Sequence, residues 1–283
     1  MEALICFIYL LSITGGISNM CETTMDVAKS IVKLVKCELF HDHFENFKLR
    51  NIPKAQLILT DPPYGLGEKM YASSPQWYKN GDNAQGESDK AHKAAFNTDY
   101  KFNICNFFSF ATRLLKKEPE VGEKDAPCII MFCAFEQIPE IIKQAERNGF
   151  KHVTPLIFIK SSSPQVLKTN MKIVGATEYA LVVYRNKLPK FRNTDENGER
   201  HAIKNWFEYR RDGKEIPRLH PTQKPVNLLK RLIEIFTDEG DVIIDPCAGS
   251  GSTLRAAREL NRNAYGFEIS SEFYKKAVER MLK

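Results

Sequence analysis

A strand–turn–helix–strand unit near the carboxyl end of the chain constrains the fold more than any other feature. Residues 241–245 form an apolar run, and a turn containing Gly249 and Gly251 follows it. Residues 252–260 have helical spacing, and residues 264–267 form a second apolar run. Strands that alternate with helices are typical of a parallel sheet. The unit therefore predicts an α/β fold.

The rest of the chain continues this alternation. Predicted strands occupy residues 56–60, 128–134, 153–160 and 178–184, and predicted helices occupy residues 103–117, 138–148, 226–236 and 271–282. Residues 65–100 and 116–127 are polar and predict loops, whereas residues 185–219 break the alternation. The 283 residues suit one large domain or two small ones. We expect one domain over residues 26–283.

The first 25 residues differ from the rest of the chain. Residues 1–25 contain no Lys or Arg, and residues 3–13 form an apolar run. A membrane-spanning helix needs about 20 apolar residues, so this run is too short. The positive segment that opens a signal peptide is missing. We expect an extension that the working protein does not need, with translation starting at Met20 or Met25, and a cytoplasmic location.

Cysteine usage and net charge exclude other classes of protein. The 7 cysteines are scattered and form no C-x-x-C pair, which argues against a disulfide framework or a metal site. Lys and Arg exceed Asp and Glu by 41 − 35 = 6, too small an excess to mark a nucleic-acid-binding protein by itself.

The glycine-rich turn carries the first candidate site. Glycine lets the backbone approach a ligand closely, and the helix that follows offers free N–H donors. Glu268 lies 23 residues after Asp245, and in dinucleotide folds an acid about 20 residues on binds the ribose hydroxyls. Asp245 would repel a pyrophosphate, so a cationic ligand fits better. S-adenosylmethionine meets these requirements, because it has a sulfonium and a ribose but no phosphate.

The second candidate site is Asp61-Pro62-Pro63-Tyr64, directly after the predicted strand 56–60. Two prolines fix an extended turn, so the Asp61 carboxylate, a backbone carbonyl and the Tyr64 ring face one pocket. Methylation of an exocyclic amine needs acceptors for both N–H hydrogens, so that the nitrogen lone pair is freed. Asp61 and the Pro62 carbonyl are candidate acceptors. Tyr64 is a candidate stacking partner for a base flipped out of duplex DNA.

Four segments together resemble a known family: TDPPYG, HPTQKP at residues 220–225, DPCAGSGST and GFEIS. They resemble the β class of amino-group DNA methyltransferases, which modify adenine N6 or cytosine N4. The resemblance covers about residues 31–283 and implies a circularly permuted, Rossmann-like fold with a mixed, mostly parallel sheet. It implies that S-adenosylmethionine is the cofactor and that DNA is the substrate. The cofactor-binding residues it implies are Asp245, Pro246, Ala248, Gly249, Gly251 and Glu268, with Thr222 and Lys224 on the methionine carboxylate.

Two residues within these motifs need separate interpretation. Cys247 stands where the family usually has Phe, so packing against the adenine departs from the family pattern there. Its place inside the glycine turn argues against a cysteine nucleophile of the cytosine-C5 type. His220 is interpreted as part of the loop geometry rather than as a general base, because a methylated amine loses its proton readily.

A basic, aromatic stretch lies between the two candidate sites. Residues 185–218 carry ten Lys and Arg against six acids, a balance of 10 − 6 = +4, together with Trp206, Phe207 and Tyr209. Basic side chains neutralise phosphates, and aromatic ones stack on bases or wedge between them. We therefore predict a target-recognition insertion at residues 185–219, with the 65–100 loop sharing that role.

The family resemblance favours adenine N6 as the target, because Asp rather than Ser precedes the Pro-Pro-Tyr and Ser is the more frequent residue there among the N4-cytosine enzymes of the family. N4 methylation of cytosine and a catalytically silent DNA-binding subunit remain alternatives. RNA or protein glutamine methylation is disfavoured, since those enzymes more often carry NPPY and place the cofactor motif first. A homodimer is compatible with the sequence, which does not specify the recognition site or a restriction partner.

Overall fold

The computed structural model describes residues 35–64, 102–122, 124–161, 166–168, 173–193, 197–199, 201–220 and 222–283. The extension at residues 1–25 and the loop at residues 65–100 lie outside these ranges. The strands are β1 (Cys37–His41), β2 (Leu57–Thr60), β3 (Cys128–Cys133), β4 (His152–Lys160), β5 (Val166–Lys168), β6 (Ile173–Val174), β7 (Thr177–Tyr184), β8 (Trp206–Tyr209), β9 (Val242–Asp245) and β10 (Asn263–Glu268). The α-helices are α1 (Ile104–Leu114), α2 (Ile138–Arg147), α3 (Val226–Phe236), α4 (Ser252–Glu259) and α5 (Ser271–Lys276).

Eight of these strands form one sheet in the order β1-β10-β9-β2-β3-β7-β4-β8. The neighbours from β1 to β3 are parallel, β7 is antiparallel to both β3 and β4, and β8 is parallel to β4. The sheet is therefore mixed and mostly parallel, which confirms the predicted α/β architecture. Strands β5 and β6 form a separate antiparallel pair.

The position of β9 brings the amino-terminal and carboxyl-terminal parts of the described chain together in one sheet. β9 pairs with β10 on one side and with β2 on the other, with Ile58 opposite Ile244. The carboxyl ends of β2 and β9 consequently lie side by side at one edge of the sheet. In open α/β sheets, ligands bind beyond this edge.

Helices cover both faces of the sheet. Alternate residues of a strand point to opposite faces, so Leu57 and Leu59 pack with α3 and α4, whereas Ile58 packs with α1 and α2. All four residues of β2 are buried. This double coverage explains why the strand is a continuous apolar run rather than an alternating one.

Most predicted element boundaries agree with the structure to within three residues. Gly149 has φ 81° and ends α2 where predicted. Helix α1 stops at Leu114, three residues early, because Leu115 turns to an extended conformation. The predicted helix 271–282 is α5 followed by a π-helical segment, Ala277–Met281.

The sequence predicts that the alternation of strands and helices is interrupted at residues 185–219. This is wrong over a short stretch, because β8 lies there and pairs with β4. Its aromatic residues face different surroundings. The Phe207 ring stacks on Phe158 at 5.5 Å and packs against the core, whereas Trp206 is 38% exposed.

Two basic residues of this segment lie at the opposite edge of the sheet from the carboxyl ends. Lys190 binds Asp238 and Asp241 at 2.7 Å each, and Arg192 binds Asp125 and Asp238. Asp241 directly precedes β9, so these ion pairs lie at the amino end of that strand. The positive charges of Lys190 and Arg192 are thus committed to carboxylates and cannot be counted toward DNA binding.

Among the described residues, no helix is long and apolar enough to cross a membrane.

Candidate active site

A cavity of about 610 Å³ opens at the carboxyl edge of the sheet. Asp61 follows β2, Asp245 ends β9 and Glu268 ends β10, and all three line the cavity. The antiparallel course of β7 brings Glu178, near its start, to the same edge. The sheet topology therefore gathers four carboxylates from four strands around one space.

Asp61 is held at both carboxylate oxygens. The Tyr64 hydroxyl donates to Oδ1 at 3.0 Å, and the Lys224 ammonium donates to Oδ2 at 2.7 Å. The Gln137 side-chain amide donates to the Tyr64 carbonyl at 2.9 Å, which fixes the end of the Pro-Pro turn. Burial raises the pKa of the Asp61 carboxyl above its usual value, and Lys224 opposes that rise.

Lys224 links Asp61 to a second carboxylate, Glu178, at 3.5 Å. Glu178 also binds the Lys160 ammonium at 2.6 Å and accepts a hydrogen bond from the Tyr209 hydroxyl at 2.8 Å. Burial acts to raise the pKa of Glu178, but Lys224 and Lys160 outweigh it and hold that pKa at about 2. Glu178 is therefore ionised at neutral pH.

Asp245 is fixed by groups from both halves of the chain. Its Oδ1 accepts from the Thr60 hydroxyl at 2.9 Å and from the Cys247 backbone N–H at 3.0 Å. Thr60 ends β2, so this bond joins the strand before Asp61 to the glycine-rich turn. Burial raises the pKa of Asp245 to about 6.

Glu268 closes the glycine-rich turn from the neighbouring strand. Its two oxygens accept from the backbone N–H groups of Gly249 at 2.8 Å and Ser270 at 2.6 Å. Burial raises the pKa of Glu268 to about 7. Gly249 and Gly251 have φ of 51° and 79°, the left-handed region that favours glycine.

Gly266 explains how the turn packs so closely on β10. A Cβ at this position would lie 2.7 Å from Leu254 Cδ1 and 3.1 Å from the Ala248 Cβ. Glycine thus lets α4 and the turn approach the strand that carries Glu268.

The HPTQKP segment borders the same cavity, in which His220, Thr222 and Lys224 are lining residues. The Thr222 hydroxyl lies 3.1 Å from His220 Nδ1. Burial and the nearby Lys224 charge lower the pKa of His220 to about 4, so its ring is neutral at neutral pH. The prediction that His220 shapes the loop is consistent with this environment.

The residues of the turn fit an adenosine-type cation. Asp245 and Glu268 supply negative charge and hydroxyl acceptors, while Phe267, Ile269 and Phe273 supply apolar walls. A carboxylate has about four acceptor positions, so Glu268 can still accept from a ribose hydroxyl. The described residues contain no group of three or more His, Cys, Asp or Glu arranged to hold a metal ion.

The model of the N6/N4 DNA methylase family matches residues 55–279 of the 283. The chain belongs to this family. A DNA methylase of this kind transfers a methyl group from S-adenosylmethionine to DNA, so the predicted family, enzyme class and cofactor are confirmed.

Individual relatives of this DNA methylase share modest identity with it. The chain is 26% identical over 257 residues to the DNA adenine methyltransferase YhdJ of Escherichia coli (strain K12), covering 83% of this chain and 79% of that protein. It is 50% identical over 62 residues to the Type II methyltransferase M.HindIII of Haemophilus influenzae, which is 22% of this chain and only 20% of that protein.

A solved structure shows that the fold is shared. The crystal structure of the M1.HpyAVI–SAM complex matches 86% of this DNA methylase and 98% of that chain, with TM-score 0.60 and 23% identity. The predicted Rossmann-like, permuted methyltransferase fold is thereby confirmed.

The structure of the methylase brings every predicted site residue that it describes to one edge of the sheet. Sequence reasoning missed Glu178, Lys160 and Thr60. The last of these could have been found, because Thr60 is the only polar residue of the QLILT run besides Gln56 and directly precedes Asp61. Glu178 and Lys160 carried no such signal, since each is a single charge at the end of an apolar strand.

Proposed function

We propose that the protein methylates the N6 amino group of adenine at a specific DNA sequence. The observation that carries the proposal is the placement of Asp61. Its carboxylate lies at the carboxyl end of β2, directly beside the turn that follows β9. The carboxylate that accepts the amine hydrogens is thereby adjacent to the turn that binds the cofactor, as an in-line transfer to an amine requires.

The assigned roles follow from this arrangement. When bound, S-adenosylmethionine supplies an electrophilic methyl group. Asp61 and the Pro62 carbonyl accept the two N–H hydrogens of the amine, so that its lone pair is freed toward that methyl group. Pro63 keeps the turn extended, and the Tyr64 ring stacks on the base. The residues assigned to the cofactor are Asp245, Pro246, Ala248, Gly249 and Gly251 in and beside the glycine-rich turn, and Glu268 at the end of β10.

Duplex DNA must present the base to this recessed site, so we propose that the base is flipped out, at a cost of a few kcal/mol. Recognition is assigned to residues 201–219, which include the outer strand β8 and end next to His220 at the cavity. Residues 185–193 are left out of the recognition segment, because Lys190 and Arg192 are bound at the far edge.

Adenine is preferred over cytosine on two grounds. Asp stands before the Pro-Pro-Tyr, and YhdJ, which matches over most of both chains, is named a DNA adenine methyltransferase. Cytosine N4 presents the same kind of exocyclic amine to Asp61, so it is the second candidate.

Expression in a host without DNA methylation tests the proposal. Genomic DNA digested to nucleosides is expected to contain N6-methyladenine, and modification-sensitive sequencing is expected to place it in one motif. Detection of N4-methylcytosine alone would identify the second candidate. Asp61→Ala is the matched control, expected to abolish methylation while retaining cofactor binding by calorimetry. DNA binding without methylation by the wild type would favour a silent subunit.

A further inference from the structure

Lys224 occupies an unusual position for a residue expected to bind a cofactor carboxylate. Its side chain is only 8% exposed, and its ammonium lies 2.7 Å from Asp61 Oδ2. The ring of Phe132 lies 4.8 Å from the same nitrogen. The strongest partner of the ammonium is therefore the carboxylate assigned to the chemistry.

Four buried or half-buried side chains of alternating charge follow one another in space across the site, in the order Lys160, Glu178, Lys224 and Asp61. Their sum is zero. Removing one member of such a set leaves an uncompensated charge in a place poor in water. Glu178 is the central anion, because it contacts both lysines and accepts from Tyr209 of the outer strand.

We infer that Lys224 is the fixed counter-ion of Asp61 during methyl transfer, and that Glu178 is the positioning residue that holds Lys224 in place. The inference rests on the proposed function, since it concerns the acceptor of the amine. It assigns Lys224 to the substrate side of the site, whereas the family resemblance implies a contact with the methionine carboxylate.

The chemical need for a counter-ion follows from the role of Asp61. An ionised carboxylate makes stronger hydrogen bonds to an N–H donor than a neutral carboxylic acid does, but burial favours the neutral form. A cation within hydrogen-bond distance favours the charged form, and Lys224 opposes the effect of burial on Asp61 in this way. The titratable groups that interact with Asp61 or Lys224 are Tyr64, Cys133, Glu178, Tyr209, His220, Asp245 and Cys247. Lys160 acts on the pair through Glu178, to which it binds.

The first test compares Lys224→Met with wild type at saturating DNA and cofactor. The single-turnover rate is measured against pH, and the dissociation constant of S-adenosylmethionine is measured by calorimetry. We expect the acid limb of the rate profile to move to higher pH by at least one pH unit, and the dissociation constant to stay within about threefold. Lys230→Met is the matched control, since Lys230 pairs with Glu259 on the surface of α3 and α4; both quantities should then match wild type.

Glu178→Gln gives the second test, with the opposite sign. Glu178→Gln removes a negative neighbour that raises the pKa of Asp61 but keeps a side-chain oxygen that can still accept from Lys224, so the acid limb should move to lower pH. Glu178→Ala removes the contact that holds Lys224 as well, so its acid limb should lie at higher pH than that of Glu178→Gln. Opposite shifts from two variants of one charge network would not arise from general damage to the fold.

Several outcomes would overturn the inference. If Lys224→Met binds S-adenosylmethionine at least tenfold more weakly than wild type and its acid limb is unchanged, Lys224 is a cofactor ligand. If Lys224→Met does not fold, Glu178→Gln decides alone, and an unchanged or raised acid limb contradicts the role. If wild type methylates no DNA, the proposed function fails; calorimetry still decides whether Lys224 binds the cofactor, and a tenfold loss there overturns the inference by itself.

Discussion

Tyr64 contributes two separable parts to the site, a ring and a hydroxyl. The hydroxyl donates to Asp61 at 3.0 Å, while the ring is assigned to stacking on the base. A single hydrogen bond contributes about 0.5–1.5 kcal/mol, and stacking of one base on an aromatic side chain contributes about 1–3 kcal/mol. The two parts therefore predict different losses on mutation.

We expect Tyr64→Phe to lower the single-turnover methylation rate by about 2- to 10-fold, because only the hydrogen bond is lost. Tyr64→Ala should lower it by a further factor of about 5 to 150, because the ring is lost too. Both rates are measured at saturating cofactor, with circular dichroism as the folding control. Equal losses in the two variants would show that the ring does not contact the base.

At the scale of elements, β8 combines packing with exposure. Phe207 packs on Phe158, and its neighbour Trp206 is 38% exposed with the Lys204 ammonium 4.9 Å from its ring. The strand thus attaches the recognition segment to the sheet through one residue and presents another to solvent.

Phe207→Ala is expected to lower the free energy of unfolding by about 2–3 kcal/mol, somewhat less than for a fully buried Phe. Trp206→Ala should change it by less than about 0.5 kcal/mol, as surface substitutions usually do, while weakening DNA binding. Urea denaturation measures the first quantity and fluorescence anisotropy with labelled duplex the second. A large loss of stability in Trp206→Ala would mean that this side chain packs rather than faces DNA.

β8 also shows where sequence reasoning reached its limit. The apolar runs of β2, β3 and β9 and the helical spacing of α3 were predicted, because strands and helices buried on a whole face leave a strong pattern. β8 has only four residues of mixed polarity, and its existence depends on pairing with β4. A short outer strand has no pattern of its own, so the sequence predicts only a break in the alternation of strands and helices there.

The residues of the candidate site also divide into those that the sequence predicts and those that it does not. Asp61, Asp245 and Glu268 were found because each follows or ends an apolar strand within a recognisable motif. Glu178 and Lys160 reach the cavity only because β7 runs antiparallel and β4 returns beside it. Strand direction is a tertiary property, so no local sequence pattern predicts that these two residues belong to the site.

At the scale of the whole molecule, the distribution of positive charge predicts which face meets DNA. Arg210 and Arg211 follow β8 and are exposed, whereas Lys187 binds the carbonyls of Pro119 and Glu120. Each phosphate contact contributes a slope of about −0.9 to the dependence of log affinity on log salt.

The double variant Arg210→Ala with Arg211→Ala should therefore reduce the magnitude of that slope by about 2. Lys187→Ala should leave the slope unchanged. Anisotropy titrations at four salt concentrations measure both. A slope that changes equally in the two variants would refute the assignment of the DNA-binding face.

The raised pKa values of Asp245 and Glu268, about 6 and about 7, predict how stability varies with pH. The usual carboxyl values are about 4, so between pH 4 and 7 the folded state binds more protons than the unfolded state. These two groups therefore make the protein less stable as pH rises through that window. A cationic ligand favours the ionised carboxylates and opposes this trend.

We expect Asp245→Asn to raise the melting temperature above that of wild type at pH 8 without cofactor, and to leave it nearly unchanged at pH 4.5. The increase in melting temperature caused by S-adenosylmethionine should grow from pH 5 to pH 8 in wild type and be smaller in the variant. Differential scanning fluorimetry measures both, with the exposed Glu234→Gln as control. A melting temperature of Asp245→Asn below wild type at pH 8 would contradict the expectation.

The pairing of β2 with β9 also governs how the chain acquires its structure during synthesis. About 180 residues separate the two strands, and a ribosome adding about 5–20 residues per second needs about 9–36 s to make them. Once β3 is made it can pair with one side of β2, but the other hydrogen-bonding edge of β2 stays open until β9 is made. A nascent chain in this state is vulnerable to edge-to-edge association, so chaperone protection during translation should matter more here than in a domain whose central strands are made consecutively.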